Sequence, residues 1–214
     1  MHSYEPISIL QKNVEYSYVN LYHSQAMKSR VTKLIYFFNF VVGLKKVRRS
    51  GWIFKAGISS PESVADHSFS LSVMAMVFSD LQGLNTERAV KMAIIHDLAE
   101  SITGDIMPDK ISHSAKKNLE NRAMGSILKK LPRSLRSEYS QIWDEYVTQR
   151  SDLSKLVHRL DKLEMILQAR EYESSGYSME KFVEFTQSAD RTINSDRNDI
   201  ISEVLQGLKA ASNQ

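Results

Sequence analysis

The chain of 214 residues contains no cysteine. That excludes disulfides, thiolate metal sites and a cysteine nucleophile, so any metal chemistry must rest on nitrogen and oxygen donors, a set that favours hard or borderline cations. Long apolar runs are also missing. The longest, Leu34 to Leu44 (LIYFFNFVVGL), is interrupted by Asn39 and falls well short of the roughly 20 residues that cross a bilayer. It reads as a core helix. Strong charge of either sign is absent too: 28 Lys and Arg against 25 Asp and Glu leave a net charge of +3. The visible basic cluster, Lys45, Lys46, Arg48 and Arg49, is too local for an extended nucleic-acid footprint, and a small anionic ligand is the more economical partner. The amino terminus, Met-His-Ser-Tyr-Glu-Pro, lacks a basic region followed by an apolar one, so a cytoplasmic protein without a cleavable signal is expected.

With 42% hydrophobic and 25% charged residues, the chain can fill one sizeable core but hardly two. Residues 1 to 30 have no clear period and read as an N-terminal extension; residues 31–211 read as one helical domain. Within it, Val31, Leu34, Ile35, Phe38, Val41 and Val42 recur at helical steps and end near Gly43. A loop is expected from Lys45 to Ala65. Helices follow over Asp66 to Leu81, Thr86 to Ser101 with Thr86 as its cap, and Ser114 to Leu131. After the break at Pro132 come helices over 134–149 and 151–174, and two more between Met179 and Ala211. No alternating strand pattern and no internal repeat interrupts this series. The expected fold is all-α, a helical bundle with a metal site between core helices.

Four polar groups sit where an apolar helix gains nothing by burying them. His67 leads the stripe Leu71, Met74, Phe78 and so faces the core. His96 and Asp97 are adjacent inside Ala-Val-Lys-Met-Ala-Ile-Ile-His-Asp-Leu-Ala-Glu, His96 sharing a face with Met92 and Glu100 and Asp97 lying about 100° round the helix. Asp161 follows Leu153 and Val157 on an apolar stripe widened by Leu160, Leu163 and Leu167. A charge removed from water costs several kcal/mol unless a counter-ion or hydrogen bonds offset it, and a bound cation would do so. Each group alone has an ordinary structural alternative: a hydrogen-bonded core histidine, an aspartate orienting its neighbour, a pair with Arg159 or Lys162. His2, His23, His113 and His158 have no matching partners and read as surface or structural residues.

Taken with their flanks, these residues form Arg49-Ser-Gly-Trp52, Pro61-Glu-Ser-Val-Ala-Asp-His67, His96-Asp-Leu-Ala-Glu100, Thr103-Gly-Asp105 and Asp161-Lys-Leu-Glu-Met-Ile-Leu-Gln-Ala-Arg-Glu-Tyr-Glu173. Over roughly residues 31 to 190 the chain resembles the HD-domain metal-dependent phosphohydrolases, and among them the 5'-deoxynucleotidases. The resemblance implies one divalent ion on His67, His96, Asp97 and Asp161, with cobalt, manganese, magnesium, zinc and iron all compatible with the donor set. It implies that Glu100 or Asp105 positions or deprotonates the attacking water. Arg49 would clamp the phosphate, aided by Lys55 and Lys162. In the bacterial branch the arginine directly precedes the tryptophan, whereas Ser50 and Gly51 intervene here. Trp52 would lie against the sugar and crowd out a ribose 2'-hydroxyl; the alternative is a loop tryptophan plugging the core edge. Glu62, and Asp66 with it, would orient His67 or simply favour a helix start. The family commonly forms homodimers, for which the Leu34 to Leu44 helix is the candidate contact. The implied substrate is a (deoxy)nucleoside 5'-monophosphate; another nucleotide or small phosphoester, or a non-catalytic nucleotide-binding role through the basic loop, are the alternatives.

Overall fold

The expected helices form, with ends set by local capping, in a computed structural model that describes residues 30–107, 109–194 and 199–211. They are α1 (Arg30–Gly43), α2 (Ser50–Phe54), α3 (Val64–Gln82), α4 (Thr86–Ile95), α5 (Glu100–Thr103), α6 (His113–Leu128), α7 (Arg133–Thr148), α8 (Asp152–Ser174), α9 (Val183–Ile193) and α10 (Ile200–Ala211). Short 3-10 turns cover Leu44–Lys46 and Met179–Phe182. Among the described residues there is no strand, only an antiparallel bridge between Arg48 and Ser63. Nor is any described helix long and apolar enough to cross a membrane. The readings of His2 and His23, and of residues 1 to 29, lie outside the described residues.

Long α8 is the spine. Ser151 caps it by accepting from Ser154 N at 3.0 Å, and 12 of its 23 residues are buried, among them Leu156, Val157, Leu160, Leu163 and Ile166. Helices α3, α4, α7, α9 and α10 all pack on it. One apolar cluster joins Leu71, Ala75, Met92, Ile127, Ile142, Leu160 and Ile201. A second, smaller one joins Trp52, Ile58, Met165, Ala169, Tyr172 and Phe182. The two clusters meet α8 at neighbouring positions, and the polar residues between them, Asp161 and Glu164, are buried as well.

Four expectations need correction. Thr86 is not the cap of α4; Asn85 is, accepting from Arg88 N at 2.9 Å, while the Thr86 hydroxyl bonds Asp80. The loop from Lys45 to Ala65 contains α2. The helix over Thr86 to Ser101 breaks after Ile95, where Leu98 N bonds Ile95 O at 3.1 Å and Glu100 N bonds Asp97 O at 2.9 Å, tight three-residue turns that replace the α pattern. Finally, α1 is not a core helix. Leu34, Phe37 and Phe40 pack inward, but Val31, Ile35, Phe38 and Val42 are exposed, Phe38 by 57% and Val42 by 53%.

Candidate metal centre and phosphate site

Three chain segments converge on one point. His67 lies in the first turn of α3, whose start is fixed by a reciprocal cap: Ser63 Oγ accepts from Asp66 N at 3.2 Å and Asp66 Oδ2 accepts from Ser63 N at 2.9 Å. Asp66 is thus a capping residue and does not orient His67; the cap lowers its pKa. His96 and Asp97 occupy the tight turn between α4 and α5, which lets adjacent side chains point into one crevice. Asp161 comes from the middle of α8. The sequence places all four on apolar stripes because the site is walled by helices on every side.

The distances are those of a shared site. From His67 Nε2 it is 3.3 Å to His96 Nε2, 3.2 Å to Asp161 Oδ1 and 3.9 Å to Asp97 Oδ2. His96 Nε2 lies 3.0 Å from Asp97 Oδ2. The tautomers decide what belongs between them. His96 Nδ1 is 2.7 Å from Ala93 O, and because a carbonyl only accepts, that nitrogen carries a proton and Nε2 is the atom turned to the centre. His67 Nδ1 donates to Glu164 Oε2 at 2.6 Å, so its Nε2 also faces the centre as a candidate metal-binding atom. His67, His96 and Asp97 offer donor atoms within 4.8 Å of one another, and Asp161 Oδ1 approaches from the His67 side. A single proton on His67 Nε2 satisfies one acceptor at most; a divalent cation with nitrogen and oxygen preferences satisfies all four, so the donor set fits such an ion.

Electrostatics agree. Burial and the charge of Arg49 disfavour a charged His67, yet Asp161 and Glu164 outweigh both and raise its pKa to about 9. Burial would raise Asp97 and Asp161, but His96, Arg49 and His67 hold the first below the usual carboxylate range, and Lys162, His67 and Arg49 hold the second there. Both carboxylates are ionised at neutral pH.

Arg49 reaches this floor from the segment before α2. Its Nη1 lies 3.3 Å from Asp97 Oδ2, and its Nη2 and Nε lie 4.0 Å from Asp161 Oδ1 and Glu62 Oε1. The backbone holds it there: Arg49 N donates to Glu62 O at 3.2 Å and Val64 N to Val47 O at 2.8 Å, tying this segment to the start of α3. Burial would lower its pKa, but Asp97, Asp161, Asp105 and Glu100 raise it, so the guanidinium stays charged. Asp105 follows Gly104, whose φ of 71° turns the chain where a side chain would be strained. Asp105 Oδ2 then accepts from Ser50 N at 2.6 Å, and Asp105 O accepts from Ser50 Oγ at 2.7 Å, so this residue anchors the segment that carries Arg49.

Glu100 is different. It is 4% exposed, and its Oε2 is buried without a hydrogen-bond partner among the described residues. Burial, then the charges of Asp97 and Asp105, push its pKa well above the usual value. Glu62 accepts from Trp52 Nε1 at 3.0 Å, and burial followed by the charge of Glu164 raises it to about 7. The group that orients His67 is thus Glu164, not Glu62. Sequence reasoning missed Glu164, although its spacing of three residues from Asp161 on α8 places it on the same face.

Above the floor opens a cavity of about 790 Å³, lined by His96, Asp97, Glu100, Asp105 and Asp161 below and by Arg49, Lys55, Lys116, Lys117, Lys162 and Arg191 around it. An acidic floor under basic walls suits a cation and an anion together. Lys162 Nζ already pairs with Asp161 Oδ2 and Lys55 Nζ with Glu184 Oε2, both at 2.9 Å. Tyr146 also lines the cavity, stacked on His158 with centroids 4.0 Å apart, while His158 Nε2 donates to Tyr146 O at 3.0 Å. His158 therefore has a structural task, and exposed His113 lies on the rim. Trp52 does not reach the cavity. It is 1% exposed inside the second apolar cluster, because its indole N–H is satisfied only by turning inward to Glu62.

Comparison with known proteins accords with this geometry. Residues 41–202 match the HD domain family. The chain is 44% identical over 156 residues to the human 5'-deoxynucleotidase HDDC2, covering 72% of this chain and 76% of that protein. The chain belongs to the HD-domain family. The fission yeast Schizosaccharomyces pombe has a relative named 5'-deoxynucleotidase hdd1, 36% identical over 158 residues, which cover 72% of this chain and 79% of that one. Among solved structures, a conserved hypothetical protein from Pyrococcus furiosus superposes with a TM-score of 0.69 at 30% identity, over 82% of this chain and 99% of that one. The adjacent His96 and Asp97 lie within the matched residues, at the turn where α4 breaks.

Proposed function

We propose that this protein is a metal-dependent 5'-deoxynucleotidase of the cytoplasm, releasing inorganic phosphate from deoxynucleoside 5'-monophosphates. The observation that carries the reading is the convergence of His67, His96, Asp97 and Asp161 on one point, with the Arg49 guanidinium beside it and a cavity large enough for a nucleotide above. The curated relatives named as 5'-deoxynucleotidases support the substrate class.

His67, His96, Asp97 and Asp161 would hold a divalent cation, which would supply charge neutralisation at the phosphoryl oxygens and a more acidic attacking water. The chain's own groups do the rest. Arg49, permanently charged and shaped as a fork, binds phosphoryl oxygens bidentately and stabilises charge that grows on them. Asp105 keeps it in place through Ser50. Glu100 lines the cavity; a cation on neighbouring Asp97 would offset the carboxylate charge that helps to raise its pKa, and Glu100 then orients the water and takes one of its protons. The water oxygen bonds to phosphorus, the P–O5' bond breaks, and the proton taken by Glu100 passes to the departing 5'-oxygen, which leaves as the nucleoside hydroxyl. Lys162 and Lys55, each already paired, tune the cavity's charge.

Homodimer formation through α1 belongs to the same reading, supported by the exposed stripe Val31, Ile35, Phe38 and Val42. The function is tested with metal-stripped protein refilled with cobalt, manganese, magnesium or zinc and given a panel of deoxy- and ribonucleoside 5'-monophosphates, beside an Asp97→Ala control. Metal-dependent phosphate release from deoxynucleotides, absent in the control, is expected. Release from none of them while metal binds would remove the substrate assignment.

A further inference from the structure

Tyrosine hydroxyls held inside a fold ordinarily find a hydrogen-bond partner. That of Tyr146 has none among the described residues, although the ring around it is held on two sides. Tyr146 stands in the last turn of α7, half-buried, and lines the cavity. Its ring lies flat on His158 of α8, at 4.0 Å and 7°, and edge-on to His96 of the candidate metal centre, at 5.6 Å and 72°. The main chain is tied as well, because His158 Nε2 donates to Tyr146 O at 3.0 Å. Asp161 and Asp97 are the principal charges near the phenol: burial first, and then these two carboxylates, push its pKa well above the ordinary 10. The hydroxyl is thus a proton donor at neutral pH, yet it donates to neither carboxylate.

Arg49 reaches the same two carboxylates from the segment before α2, with Nη1 3.3 Å from Asp97 Oδ2 and Nη2 4.0 Å from Asp161 Oδ1. A phosphoryl group seated over this pair has the guanidinium on the α2 side and the phenol on the α7 side. We infer that the Tyr146 hydroxyl is a second donor to the phosphoryl group, binding a non-bridging oxygen from the α7 side while Arg49 binds from the α2 side. The bond tightens as negative charge grows on that oxygen, and a donor fixed beforehand by His158 and His96 needs no reorganisation to make it. A phenol suits the place better than an ammonium. Being neutral, it forms no ion pair with Asp161, as Lys162 does at 2.9 Å, and so stays free for the substrate. This inference rests on the phosphohydrolase part of the proposed function and not on the nucleoside, and the experiment separates the two.

Tyr146→Phe removes the hydroxyl alone and keeps the ring on His158. Cobalt-loaded wild type and variant are compared by hydrolysis of deoxynucleoside 5'-monophosphates, by calorimetric binding of inorganic phosphate, and by the visible spectrum of the bound cobalt. The variant is expected to bind phosphate about tenfold more weakly, the loss of one hydrogen bond to a charged group. Its kcat should fall by about 10²-fold, as on removal of a donor that acts most strongly in the transition state. Cobalt affinity and spectrum should match wild type, because the edge-on contact with His96 survives. Phosphate affinity and kcat both within about twofold of wild type overturn the inference. So does a fall in kcat with phosphate affinity unchanged, which assigns the hydroxyl to the attacking water, and so does an altered cobalt spectrum, which assigns it to His96. If wild type cleaves no nucleotide yet binds phosphate, the nucleotidase reading falls while the phosphate titration still decides the role of Tyr146. Wild type that binds no phosphate overturns both.

Discussion

Glu164→Gln probes the centre without touching a ligand atom. Glu164 is 3% exposed and its Oε2 accepts from His67 Nδ1 at 2.6 Å. A hydrogen bond to a charged group contributes about 1.5–3 kcal/mol, and losing such a partner behind a ligating imidazole lowers metal affinity by about 10- to 100-fold. A second effect opposes the first. The metal-free protein binds a proton on His67 below about 9 and releases it as pH rises through that value. At pH 7 an incoming cation must therefore displace that proton, a handicap of about 9 − 7 = 2 decades, or about 2.7 kcal/mol. Glu164 is one of the groups that raise this pKa, so the glutamine variant carries a smaller handicap. The two effects partly cancel at pH 7, whereas near pH 10 the proton is gone from both proteins and the full loss shows. Chelator-buffered zinc titrations at the two pH values measure this directly. Wild-type affinity should climb about tenfold per pH unit between 7 and 9 and then level, and the deficit of the variant should widen over that range by the amount that the substitution lowers the His67 pKa. A deficit that is constant with pH, or larger at pH 7 than at pH 10, would refute the reasoning.

Glu100→Gln should lower kcat by about 10²- to 10⁴-fold with KM and cobalt affinity nearly unchanged, since it removes a proton acceptor and no ligand; steady-state kinetics with metal analysis checks this. Arg159 grips Asp199 bidentately at 2.6 and 2.7 Å, joining α8 to the start of α10, and Arg159→Ala should cost about 1–3 kcal/mol in urea unfolding. That same bond holds the Asp199 pKa at about 2 against an ordinary 3.8, so its stabilisation is present above 3.8 and lost as pH falls through about 2. The variant should accordingly show a flatter decline of stability over that acid range. Phe38→Glu, which puts a charge in the exposed stripe of α1, should convert a dimer to a monomer by light scattering while the helical circular dichroism stays constant.

How far this architecture is legible in the sequence depends on whether a residue's partner is local. His67 and Asp161 stand out because each interrupts an apolar stripe of its own helix, and a helical period of 3.6 residues suffices to aim them inward; His96 and Asp97 stand out as an adjacent polar pair at the end of the apolar run of α4. Glu164 interrupts the same α8 stripe three residues after Asp161, but an acid flanked by Leu163 and Met165 carries no mark of the histidine it faces, which arrives from α3. The break after Ile95 is invisible for a related reason. Ile-His-Asp-Leu-Ala-Glu has neither glycine nor proline, and the helix yields there because adjacent ligands must point into one crevice, a demand made by α3 and α8.

The apolar run of α1 shows the opposite failure. Its residues are apolar nearly all round, so the period cannot tell which side faces the core, and half of the hydrophobic content turns outward. Trp52 combines both problems. The sequence puts a large amphipathic ring three residues from Arg49, and Trp52 N does donate to Arg49 O at 3.2 Å, but a ring has two faces and an N–H to satisfy. Glu62 takes the N–H and Tyr172 the edge, and the last face is covered by Phe185, which α9 delivers from the far end of the chain.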